Sequence, residues 1–165
     1  MNDVITDRIE QSIEVQAPRS RVWQALVNPE EFAAWFGIEV DGPFAPGARL
    51  RGTLVGTTVD VEVAKAQRTD EGVTFDLVVA QIEPERRFSF RWHPNAVDQS
   101  VDYTAEPMTL VEFILEETPK GTRVTVAESG FDGIPLTRRA QAFDGNKEGW
   151  RIMLGVLGSY VGHVS

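Results

Sequence analysis

The hydrophobic period changes once along this chain, and that change limits the folds open to it. From Phe75 to Val126 apolar residues recur at every second position within short runs. The runs are Phe75, Leu77 and Val79; Phe88, Phe90 and Trp92; Val111, Phe113 and Leu115; and Val124 with Val126. Such alternation sends successive side chains to opposite faces of a strand, so each run has one buried face and one wet face. From about Thr137 to Val161 the spacing becomes three, four and seven, through Phe143, Trp150, Leu154, Leu157 and Val161. That is the stripe of one helix of roughly 37 Å at 1.5 Å per residue. One-faced strands followed by a single long amphipathic helix imply an antiparallel sheet that curves and buries its apolar face against the helix.

Upstream, RIEQSIEVQAP reads as a strand through Ile9, Ile13 and Val15. Pro18 suits the first turn of a helix bearing Val22, Trp23 and Leu26. A second helix starts at Asn28 as cap, with Pro29 in the first position and Glu31 three residues after the cap. It carries the aromatic stripe Phe32, Trp35 and Phe36. Arg49–Leu54 is a further strand after the turn-rich DGPFAPGA, and Val59, Val61 and Val63 alternate with Asp60 and Glu62 as another. Thr118-Pro119-Lys120-Gly121 is a tight turn between the last two strands.

The expected fold is α+β: about six to seven antiparallel strands curved around a long C-terminal helix, with two short helices after the first strand. A length of 165 residues suits one core, here a single domain over residues 9–165 behind a flexible segment 1–8. Gly145, Gly149, Gly155 and Gly158 interrupt the final helix. Each costs about 1 kcal/mol against alanine, so close approach to the sheet or to another chain is expected there. On the outer face of the sheet, Arg91 and Glu112 are expected to form a solvated cross-strand pair.

Charge and composition remove several functions. With 25 acidic against 16 basic side chains and a formal net charge of −9, the surface repels phosphate backbones and anionic lipid. Nucleic acid is therefore not an expected partner, and no apolar run approaches the roughly 20 residues of a membrane span. The absence of cysteine excludes disulfides, thiolate chemistry and iron–sulfur clusters. The opening MNDVITDRIEQS lacks an apolar signal core, which leads us to expect a cytoplasmic setting. His93 and His163 lie far apart and belong to no HExxH pattern, so no metal is expected. No GxSxG or GxGxxG occurs, and the glycine pair Gly42 and Gly47 lacks the Lys and Ser/Thr of a phosphate loop. No cofactor and no catalytic set follow from these residues.

The segments APRSRVWQALVNPEEFAAWF, FAPG, IEPERRFSFRW and TLVEFILEETPKGTRVTVAESGF, with GW leading into the last helix, resemble a known family. It is the activator-of-heat-shock-protein-90-ATPase homologue-like family, within the START / birch-pollen-allergen (polyketide cyclase/dehydrase and lipid-transport-like) superfamily. The resemblance implies a helix-grip fold with a deep apolar cavity between sheet and helix. It also implies a carrier of hydrophobic ligands, an aromatase or cyclase, or a modulator of partner proteins.

The leading expectation is binding of a small hydrophobic ligand, aromatic or lipid-like. The residues expected around it are Trp35, Phe36, Trp92, His93, Phe113, Phe131, Trp150 and Leu154, with the His93–Pro107 loop gating entry. His93 ends the aromatic strand, and its ordinary pKa near neutrality suits it to orient a ligand or to move a proton. The alternatives are an enzyme acting on a polyketide-like substrate through His93, Tyr103 or a pocket acid, and an interaction protein, either a chaperone modulator or a stress-linked homodimer.

Overall fold

The computed structural model describes residues 8–98 and 100–162. The flexible segment expected up to residue 8, apart from Arg8, and His163 lie outside the described residues. The elements run β1 (Arg8–Val15), α1 (Arg19–Val27), α2 (Pro29–Phe36), β2 (Ile38–Val40), β3 (Arg49–Leu54), α3 (Val61–Gln67), β4 (Thr74–Glu83), β5 (Arg87–Trp92), β6 (Thr109–Thr118), β7 (Gly121–Ser129) and α4 (Leu136–Gly162). The seven strands form one antiparallel sheet in the order β1-β7-β6-β5-β4-β3-β2, curved and unclosed. This is the expected α+β architecture, with two short helices after the first strand and a 27-residue C-terminal helix.

Register turns alternation into a core. Phe88 stands opposite Phe113, Phe90 opposite Val111, and Phe113 opposite Val126. All five are fully buried. Helix α4 crosses this face and packs on β1, α2 and α1. Gln11, on the inner side of β1, donates to the Lys147 carbonyl of α4 at 2.8 Å, which explains the break in that strand's apolar pattern. Gly158 meets β1 closely: an added Cβ would lie 3.2 Å from Ile13 Cδ1. Gly149 is different, since a Cβ there would meet nothing within 4 Å.

The start of α2 follows the expected chemistry. Asn28 Oδ1 accepts from the Glu30 and Glu31 amides at 2.9 and 3.1 Å. The Glu31 carboxylate does not close a capping box, however. It accepts from Arg21 at 2.5 Å and from the Tyr160 hydroxyl at 3.0 Å, tying α1, α2 and α4 together. Gly37 ends α2 with φ of 81°, and a Cβ there would lie 2.7 Å from the Thr57 nitrogen. Glycine is thus required by both conformation and space.

Two expectations need correction, and one strand was not expected. Val59, Val61 and Val63 do not form a strand. Asp60 Oδ1 caps the Glu62 and Val63 amides at 2.9 and 3.0 Å, and the helix formers of VEVAKAQ wind into α3. A cap with a helix-forming run outweighs three alternating valines. The three-residue strand β2 follows directly on the Gly37 cap, within a stretch that carries no period long enough to read. Glu112 pairs with Arg87 at 2.7 Å rather than with Arg91; it stands opposite Ser89, diagonal to both arginines.

Candidate functional site

Between the β2–β3–β4 end of the sheet, α3, the loop after β5 and the middle of α4 lies a cavity of about 560 Å³. Each wall follows from a local pattern. Asn146, Gly149, Trp150 and Met153 share one stripe of α4 at spacings of three and four. Val63, Ala66, Gln67 and Asp70 make the same stripe on α3 and the single 3₁₀ turn after it. Phe36 closes the end of α2, Trp92 the end of β5, and Phe75 the start of β4. His93, Asn95, Ala96 and Val97 border the cavity from the loop.

The wall shared by β5 and α4 is organised around a carboxylate the sequence reading passed over. Glu128 on β7 is fully buried. Its Oε1 accepts from Trp150 Nε1 at 2.8 Å and from Asn146 Nδ2 at 3.0 Å. Its Oε2 accepts from Trp92 Nε1 at 2.8 Å and from Thr109 Oγ1 at 2.5 Å. A carboxylate without partners would be costly in such a place; here neutral donors from three elements converge on it. An indole N–H can only donate, so Glu128 fixes both tryptophans. Their rings stack 5.8 Å apart at 26°, and Phe36 leans on them at 6.2 and 5.4 Å. With both N–H groups spent on Glu128, what the indoles offer the cavity is carbon and π face. The signal for Glu128 was present: Val124 and Val126 set the inward parity of β7, and one more step reaches residue 128.

Helix α3 rests on one polar anchor. Gln67 Oε1 accepts from the Thr57 amide at 2.7 Å, and its Nε2 donates to the Phe36 carbonyl at 3.0 Å. No residue of α3 is buried, and Val61 is 70% exposed. The helix covers the cavity without being part of the core.

The loop after β5 is held down from the other side. The Arg138 guanidinium donates to Glu106 at 2.7 and 3.0 Å and to the Pro94 carbonyl at 3.0 Å, and it stands 4.8 Å over the Tyr103 ring. His93 borders both the main cavity and a smaller one of about 170 Å³ beside Tyr103. Its Nδ1 is buried with no hydrogen-bond partner among the described residues. Burial pushes its imidazole below the ordinary pKa, outweighing Glu106 and Asp76, which raise it.

Of the eight residues expected at the site, Phe36, Trp92, His93 and Trp150 lie together on the cavity wall. Trp35, Phe113, Phe131 and Leu154 pack in the core and are not among the lining residues. Trp35 stacks behind Phe36 at 5.2 Å, and Phe113 meets Trp150 edge-on at 5.6 Å, so both back the wall. Phe131 instead contacts Phe143 at 5.3 Å. Among the described residues, no three His, Asp or Glu side chains gather as a metal site would require. No helix among them is long and apolar enough to cross a membrane.

A protein-family model described as activator of Hsp90 ATPase homolog 1-like protein matches residues 16–162. Among solved structures, protein MLL2253 from Mesorhizobium loti superposes with a TM-score of 0.70 at 22% identity, over 96% of this chain and 98% of its own. DynU16, a putative protein in the dynemicin biosynthetic locus, gives 0.66 at 28% identity, over 93% of this chain and 46% of its own. The Aha1 dimer from Colwellia psychrerythraea gives 0.64 at 16% identity, over 94% of this chain and 96% of its own. Among curated proteins, none matches the sequence.

Proposed function

The chain belongs to the activator of Hsp90 ATPase homolog 1-like family, and from that premise we propose that it binds a small hydrophobic ligand, aromatic or lipid-like, between the sheet and α4. One observation carries this reading. The cavity of about 560 Å³ is walled mainly by apolar side chains, with a few polar groups at its borders, and by two indoles whose only polar atoms are already bonded to Glu128. Pockets of this size and lining suit small organic molecules, which gain by leaving water. Helix α3 and the loop latched by Arg138 are the parts that would open to admit one, because neither is built into the core. Native mass spectrometry of protein gently purified from its own cells, followed by denaturing extraction, tests the reading. A stoichiometric apolar small molecule is the expected result; protein that neither retains such a molecule nor takes up apolar probes contradicts it.

His93 supports a second reading. A half-buried imidazole at the cavity border, its pKa lowered by burial, is chemically able to take a proton from a bound substrate. In that case the ligand is a substrate, and DynU16's place in a biosynthetic locus makes polyketide-like aromatics the first compounds to assay. Turnover lost in His93→Gln with binding retained would establish it. The solved relative described as a dimer makes a second copy of this chain a partner to check by light scattering, and the family name makes a chaperone another.

A further inference from the structure

The charges around the cavity are one-sided. Among the described residues no Lys or Arg lines it, whereas Glu62 and Asp70 do. Glu62 is exposed and lies 3.6 Å from Lys65 on the same helix, which offsets much of its charge. Asp70 is half-buried, and among the described residues its carboxylate has neither a hydrogen bond nor an ion pair. Arg51 borders the smaller cavity and leans toward Asp76 at 3.7 Å. A carboxylate at the border of a mainly apolar cavity favours a positive charge over a negative one there.

The aromatic wall has the same sign. A cation is drawn to the face of an aromatic ring, to tryptophan most strongly. Trp92 and Trp150 each donate their N–H to the buried Glu128, and hydrogen bonding to a carboxylate shifts electron density toward the rings. Phe36 and Phe75 add two more ring faces. The whole chain, at −9, attracts cations as well. An anionic ligand would have to leave water for a cavity that offers no counter-charge, beside acids that repel it.

We propose that the cavity selects by charge: its ligand is a hydrophobic amine whose apolar rings lie on Trp92 and Trp150 and whose ammonium is met by Asp70, and fatty acids or other apolar carboxylates are rejected. This rests on the reading of the cavity as a ligand site and adds the chemical class. Selection against acids would separate this protein from carriers that hold fatty-acid carboxylates with arginine or lysine.

The test is competition against N-phenyl-1-naphthylamine, an uncharged probe that fluoresces when it leaves water. Two competitors share one ring system, 1-naphthylmethylammonium and 1-naphthoate. The ammonium should displace the probe at a concentration at least about tenfold lower than the carboxylate. In Asp70→Asn that ratio should shrink by about threefold or more. Both competitors are compared on the same variant, so a loss of folded protein cannot imitate the change. If the probe itself is not taken up, the ligand-site reading fails and this inference with it. If the probe binds but naphthoate competes as well as the ammonium or better, charge selection is overturned and the ligand site stands. An unchanged ratio in Asp70→Asn overturns the assignment of the counter-charge to that residue.

Discussion

The two ends of the sheet are made by the same alternation and finish in opposite states. At the β1–β7–β6 end, α1 and the last turns of α4 press directly on the strands. Val22, Leu26, Val124, Val126 and Leu157 have no exposure left. At the β4–β3–β2 end the cover is α3, no residue of which is buried, and about 560 Å³ stays open beneath it. The strands are not the source of the difference, since Leu77 and Val79 of β4 are as buried as their counterparts in β7. The difference lies in the cover. A long helix that packs on β1 cannot also fill the far end of a curved sheet, and a seven-residue helix anchored by one glutamine spans that gap without filling it. A hydrophobic core and a hydrophobic cavity can therefore be built from one pattern, depending on what lies over it.

The comparison can be broken most forcefully from the closed end. Phe113→Ala removes a fully buried ring between Phe88, Phe90 and Trp150. It should cost about 3–5 kcal/mol in chemical denaturation. A loss below about 1 kcal/mol would mean that the closed end is not packed as described.

The next effect belongs to the wall between the two ends. Glu128→Gln replaces an acceptor-only group by one that turns an NH₂ toward donors. With one indole or the Asn146 amide left unpaired, stability should fall by about 1–3 kcal/mol. The Trp92 and Trp150 indole N–H signals should also move in an NMR spectrum. Unmoved indole resonances would show that Glu128 does not fix the rings.

A smaller and more pointed effect contrasts two glycines of α4. Gly149 faces the cavity with room for a side chain, so Gly149→Ala should stabilise the helix by about 0.5–1 kcal/mol. Gly158 lies against Ile13 at the closed end, and Gly158→Ala should return less than half of that gain, because the new methyl must displace its neighbour. Equal gains at the two positions would erase the distinction between the ends.

The smallest effect is a pH dependence. Burial lowers the folded pKa of His93, so around the ordinary value of about 6.5 the unfolded chain binds more protons than the folded one. Stability should therefore fall as pH drops below about 6.5 toward the folded value. Glu106, Asp76, Arg138 and Arg49 act on the same ring, so the contribution is read as the difference between the protein and His93→Gln at pH 7.5 and 5.5. A variant with the same pH slope would show that the ring is not desolvated.

Much of the architecture was legible because period and caps are local. Arg49–Leu54, the Asn28-Pro29 helix start, the hairpin closed at Gly121 and the final helix each state their structure within a few residues. The valines around the start of α3 misled because alternation over only five residues is weak, and the capping aspartate among them decides the outcome. The site was half legible. Phe36, Trp92 and Trp150 are aromatic residues on elements that had to face one another. Glu128, by contrast, looks like one more acid in an acidic chain until the parity of β7 turns it inward. Its donors come from β5, β6 and α4, separated from it by 36, 19, 18 and 22 positions, and no short-range pattern joins them.

The central claim is that the open end of the sheet is a ligand site, and one binding measurement meets it directly. Titration with N-phenyl-1-naphthylamine is compared between the protein and Gly149→Met, an unbranched side chain placed where a Cβ meets open space. The account predicts saturable one-to-one uptake by the protein and its loss in a variant that unfolds at the same or a higher temperature. Undiminished uptake by the folded variant, or none by the unaltered protein, would contradict it.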